Sequence, residues 1–185
     1  MTALAVALQA EGRARPAQSA CPGCGLVLPA RGGPVHAFVG ASPACWERYG
    51  RLSRTMPSAQ ETPTRLRRLI ADTYAVQHPG ARQRRAIQSV AVHLMGLCVL
   101  LERDGEARRP VPELGRTPPP RRLVLRWLEP PVPNGSLTIA DALGDEDDDA
   151  RAADVEAWAR DVWAAWSPHH ATVHEWLGAP LPSGA

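Results

Sequence analysis

The stretch whose reading decides the fold is RRAIQSVAVHLMGLCVLLE, residues 84–102. Its second half is apolar nearly all round, so outside a membrane it needs neighbours on every side and reads as the buried centre of a helical bundle. Working outward, TRLRRLIADTYAVQ (64–77) sets Leu66, Leu69, Ile70, Thr73 and Val76 at helical spacing. His78-Pro79-Gly80 stops that helix, because proline restricts its predecessor and glycine suits the turn. On the far side a long helix is expected from about Ala150 to Trp166. The acidic run GDEDDD before it suits the dipole of a solvated helix entry. Ser167-Pro168 then supplies an N-cap and a first-turn proline for a last helix, HHATVHEWL. Thr138 to Asp141 reads as a capping box opening a short helix, TIADAL, and RRLVLRWLE (121–129) as a short extended piece. Trp158, Trp163, Trp166 and Trp176 fall in the last helices, where packing is their expected role.

The expected fold class is therefore mainly α: a helical bundle over 60–178, with an irregular zinc-knuckle module at 21–50 packed onto it as one domain. A flexible tail, 1–20, precedes both. Residues 21–50 are rich in glycine and proline, hold three of the four cysteines and show no long periodic segment. Order there is expected to come from cross-links.

The bulk numbers agree. A chain of 185 residues that is 44% hydrophobic is long enough to bury its own core. No segment approaches the roughly 18–20 continuous apolar residues of a membrane span. The start, MTALAVALQAEGR, lacks the basic residue that opens a signal peptide. The expectation is a cytoplasmic protein without a membrane partner, where cysteine clusters more often bind metal than form disulfides. Net charge is +2, and every basic residue is arginine.

Within 21–50, CPGCG (21–25) is a metal-binding type of turn. Its two thiols converge on one ion, and its glycines let backbone N–H groups face the sulfurs. Cys45, in GASPACW, is the expected third ligand. His36, in GPVHAF, is the best-placed fourth, giving C-x2-C-x11-H-x8-C. Zinc is the expected ion and iron the alternative. A thioredoxin-like couple would need a βαβ setting that is absent from the pattern. Cys98, among Leu94, Leu97 and Leu101, reads as a core thiol.

The remaining histidines form a second set. His93 sits in an apolar helix, where an imidazole has to be hydrogen-bonded or coordinated. His170 and His174 are four apart and so share a helix face. His78, His93 and His170, with His174 or Asp72 adding a ligand, would build an open, catalytic-type metal site between facing helices. The bland alternative is a buried His93 bonded to its neighbours and a wet SPHH cap.

The strings CPGCGLVLP, GPVHAF, GASPACW, DTYAVQHPG, QSVAVHLMGL and WSPHHATVHEW together resemble the bacterial family DUF5946, over Cys21 to about Trp176. The resemblance implies that Cys21, Cys24, His36, Cys45, Asp72, His78, His93 and His170 occupy family motif positions, with His174 a less regular one. It implies no activity. A looser likeness, of architecture alone, is to DinB-type bundles that bind a divalent metal through three histidines.

Two functions follow as expectations. One is a metal-dependent enzyme of hydrolase or transferase type, acting on a small-molecule or protein substrate. Its Cys/His set would be structural, and its His78, His93, His170 and Asp72 catalytic. The other is a zinc-stabilised adaptor for nucleic acid or a protein. The clusters Arg65, Arg67, Arg68 and Arg82, Arg84, Arg85 support it, but the acidic C-terminal part and the lack of interleaved aromatics do not. A purely structural role for the whole His/Cys set is a third reading.

Overall fold

A computed structural model describes residues 17–55, 64–103, 124–144 and 148–178. The GDEDDD run, the RRLVLRWLE piece and the tail at 1–20 therefore lie partly outside the described residues. Among the described residues the chain is mainly helical. It opens with a short antiparallel hairpin, β1 (Gln18–Ala20) and β2 (Val27–Pro29), paired Gln18 to Pro29 and Ala20 to Val27. Five α-helices follow: α1 (Pro43–Thr55), α2 (Thr64–Gln77), α3 (Arg84–Glu102), α4 (Asp148–Ala165) and α5 (His170–Trp176). A single 3-10 turn, Ser167–His169, joins the last two.

The apolar stretch at 84–102 is the central helix. It packs against α2, α4 and α5 and buries Leu94, Met95, Leu97 and Cys98. By length and mean hydropathy alone α3 is apolar enough to cross a membrane, although polar residues interrupt it. Yet 56% of that window is buried inside the fold, as in a core helix. Trp158 and Trp166 of the C-terminal half are also fully buried.

Helix α1 was not expected, because its stretch has too few apolar positions to show a period. Its signal was Ser42-Pro43: the Ser42 hydroxyl accepts from the Cys45 N–H at 3.3 Å, and proline takes the first helical position. At 138–141 the capping box forms, with Asp141 accepting from the Thr138 N–H at 2.7 Å, but a turn and no helix follows it. The part of RRLVLRWLE that is described, from Val124, forms no strand.

A buried polar network fixes the loop at 134–137 to the bundle. The Gln77 amide donates to the carbonyls of Asn134 (2.9 Å) and Leu137 (2.8 Å) and accepts from the Trp158 indole at 3.0 Å. Asn134 donates to the Val76 carbonyl and accepts from the Trp166 indole, both at 2.9 Å. Buried polar groups persist only when paired in this way.

Candidate metal centre

CPGCG is the turn of the β1–β2 hairpin. The Cys21 N–H bonds to the Leu26 carbonyl and the Gly25 N–H to the Cys21 carbonyl, each at 2.9 Å, and Gly25 takes a positive φ of 75° that glycine adopts without strain. The turn lies flat on the end of α2. A Cβ placed on Gly23 would stand 2.6 Å from the His78 ring, so only glycine allows that approach. A second strap holds the same corner: the Gly40 N–H donates to the His78 carbonyl at 2.9 Å, and Val39 bridges Pro79.

These contacts bring Cys21, Cys24, Cys45 and His78 together, with one donor atom from each lying within 4.8 Å of the others. Cys45 Sγ is 3.3 Å from His78 Nε2 and 3.9 Å from Cys24 Sγ. All four cysteines are free thiols. Around the cluster stands an orienting shell. His78 Nδ1 donates to the Tyr74 carbonyl at 2.8 Å, which leaves Nε2 facing the sulfurs. The Tyr74 hydroxyl donates to Cys45 Sγ at 3.6 Å, and the Ser42 N–H to Cys21 Sγ at 3.3 Å.

The electrostatics of the crowded sulfurs favour a cation. Hydrogen bonding from Cys24 and Cys45 pulls the Cys21 thiol far below its usual range, while Cys21 and Cys24 push Cys45 far above it. One thiolate forms readily and the next is resisted. Burial pushes the His78 imidazole down, but its hydrogen bonds to Cys21 and Cys24 outweigh that and raise it to about 9. A metal dication removes the conflict, since it takes deprotonated ligands and cancels their repulsion.

His36 is not part of the cluster, contrary to the spacing argument. It is exposed and lies against Phe38 and Trp46, with Nδ1 accepting from the Phe38 N–H at 3.4 Å. Loop intervals fitted His36, but the straps above deliver His78, which is 33 residues from Cys45.

The histidine set does not converge on one pocket. His78 belongs with the cysteines. His93 Nδ1 pairs with Asp72 Oδ1 at 2.7 Å, Asp72 being 5% exposed and the His93 side chain 30%. Gly96 makes room for that carboxylate, because a Cβ there would come within 2.2 Å of Asp72 Oδ2. His170 stacks on Trp163 at 3.8 Å and bonds to the Trp163 carbonyl at 2.9 Å, and burial lowers its pKa. His174 pairs instead with Glu102 at 2.7 Å, nine residues beyond His93 and so about 13 Å along α3. Cys98 lies beside Glu102, and burial together with that carboxylate pushes its thiol up to about 12. The likeness to three-histidine bundles is therefore not carried by the geometry.

Arg65, nominated with the basic clusters, reaches across to α4. It bonds Glu156 at 2.7 and 3.2 Å and the Leu100 carbonyl at 3.1 Å, holding the Glu156 carboxyl below its usual range.

Fold and cluster together define a mainly helical protein with a Cys/His group of metal-binding type. The family model described as "Family of unknown function (DUF5946)" matches residues 19–167, and the chain belongs to that family. The match ends at Ser167, before α5. No curated protein and no solved structure matches the chain.

Proposed function

We propose that this is a zinc-binding protein in which Cys21, Cys24, Cys45 and His78 hold one Zn(II), with iron as the other metal such a sulfur-rich set takes. The observation that carries the reading is the four-donor cluster with His78 oriented by the Tyr74 carbonyl. Three sulfurs and one imidazole nitrogen are a donor set of closed structural zinc sites, and four protein ligands leave no position for a substrate. The ion would tie the hairpin and α1 to the end of α2. The test is metal content per chain by plasma mass spectrometry, on protein purified without added metal or chelator. Zinc that is present in the wild type and lost from this set in Cys45→Ser is the expected result. Folded protein with freely titrating Cys21, Cys24 and Cys45 and no metal on them would refute it.

A second reading adds catalysis, and the Asp72–His93 pair supports it. A buried carboxylate on Nδ1 orients a half-buried imidazole and leaves Nε2 to move a proton, the arrangement general bases use. Under this reading the protein is an enzyme of hydrolase or transferase type. His93 would be its acid–base group and Asp72 the residue positioning it, while His170 and the zinc set lie outside the chemistry. Turnover of a panel of activated acyl and phosphoryl esters should fall at least about 100-fold in His93→Gln. Equal turnover by wild type and variant would remove His93 from the reaction. For the adaptor reading, Arg65 is no longer a free phosphate contact, and salt-dependent retention on nucleic acid would test what remains.

A further inference from the structure

Away from the cysteine turn, at the far end of α3, three chemically different donors meet. Cys98 and Glu102 are four residues apart and so on one face of α3, and α5 brings His174 to them. One donor atom of each lies within 4.8 Å of the others. His174 Nε2 stands 2.7 Å from Glu102 Oε2, and Cys98 Sγ stands 3.5 Å from that same oxygen. From α4 the Trp163 indole donates to the other carboxylate oxygen at 3.0 Å, which fixes the orientation of Glu102.

We propose that Cys98, Glu102 and His174 form a second metal site, one with an open coordination position, for a divalent ion of the zinc type.

The hydrogen bonds bring all three ligand types to one point. Two protons, one from a buried thiol and one from a buried imidazole, converge on a single oxygen. His174 is 4% exposed, and Nε2 is the ring nitrogen turned to the carboxylate. One dication in place of the two protons engages sulfur, nitrogen and carboxylate oxygen together. These are the three ligand types zinc accepts, at bond lengths of about 2.0–2.3 Å. Donors on such an ion stand roughly 3.3–3.8 Å apart. The 3.5 Å contact already fits, and the 2.7 Å one opens by a small rotation of Glu102, whose side chain is 32% exposed. The Trp163 indole is the outer contact that metal-bound carboxylates commonly require.

Three protein ligands are the mark of sites that keep a position for water or an anionic ligand, in contrast to the closed four-donor set at the other end of the fold. Glu102 is the exposed member, so the open position faces solvent. The family match, ending at residue 167, does not include His174. The site stands independently of the zinc reading above.

The test is metal binding by the full chain, titrated with Co(II) or Zn(II), with bound metal counted after equilibrium dialysis. The wild type is expected to take two equivalents. Glu102→Gln changes an exposed side chain and leaves the core in place; it should weaken one equivalent at least tenfold with unchanged helical circular dichroism. Cys98→Ser should abolish the thiolate-to-cobalt absorption that the second equivalent adds. A Cys45→Ser chain should keep one equivalent, and lose it when Glu102→Gln is added. That outcome supports this site whatever metal the cysteine turn holds. Saturation of the wild type at one equivalent, lost with Cys45→Ser but not with Glu102→Gln, would overturn the proposal. So would two equivalents that Glu102→Gln leaves untouched.

Discussion

Residues 17–55 consist of a hairpin with three-residue strands and one helix, and the side chains they bury are Cys21, Leu28, Ala44, Cys45 and Leu52. Two of those five are donors of the metal cluster. The bundle of α2 to α5 with its connecting turns, by contrast, buries four tryptophans, a run of leucines and a satisfied amide network. The difference is one of driving force. The bundle is held by apolar area removed from water, which needs no partner. The N-terminal segment buries much less such area, and under the zinc reading its order depends on the ion its sulfurs and His78 would share.

The sharpest way to break that contrast is to remove a donor. Cys45→Ser, or a strong chelator, should strip hydrogen-exchange protection from 17–55 and leave α3 protected. Structural zinc is worth about 10–16 kcal/mol of apparent binding energy at pH 7, so the loss should be complete and not graded. Protection lost equally in α3 would show that the two regions fold as one unit.

Acidity separates the regions in a second way. Metal binding needs neutral His78 and deprotonated sulfurs, so bound metal should be released as pH falls. In the metal-free chain the sign reverses. His78 is raised from 6.5 to about 9, so its contribution is present in full below pH 6.5 and is lost as pH rises through 9. Thermal midpoints of loaded and stripped protein, measured across pH 6 to 10, should therefore diverge. Parallel curves would mean that His78 is not in the cluster.

Smaller effects probe the bundle. Asn134→Ala leaves the Trp166 indole and the Val76 carbonyl without their partners, at about 1–3 kcal/mol each, without metal loss. Denaturant unfolding of the loaded protein would report it. Gly96→Ala forces the Asp72 carboxylate aside, and overpacking of this kind costs about 1–3 kcal/mol. If the His93 resonances do not shift in that variant, the pair does not depend on Gly96. The least effect is expected for Arg65→Ala. Its bridge to Glu156 is about one-third exposed on both sides and is worth only about 0.2–1 kcal/mol.

Much of this was legible in the order of residues. The period and punctuation of 64–77 and 84–102 mark α2 and α3 at the bounds they take, because helix spacing and the His78-Pro79-Gly80 stop are local. CPGCG announced a metal-type turn, and Cys45 was the near third thiol. Helix α1 was hidden by its polar composition, although Ser42-Pro43 carried its cap. The spacing points to His36 and not His78 because interval lengths rank only residues near in sequence. The glycines held the better signal: Gly23, Gly40 and Gly80 leave no room for side chains where the turn, the strap and the end of α2 meet.

Sequence alone thus determined the helical class, the central place of 84–102 and a cysteine turn of the type that can hold a metal, since each depends on neighbours within a few residues. Only the tertiary structure decided which histidine joins the sulfurs, that Asp72 meets His93, and that the core thiol Cys98 also stands beside Glu102 and His174. Apart from the one-turn step from Cys98 to Glu102, those pairings cross from 21 to 76 positions of chain. They are set by how α2, α3 and α5 pack, and helix packing follows the summed shape of many side chains, which no local spacing records.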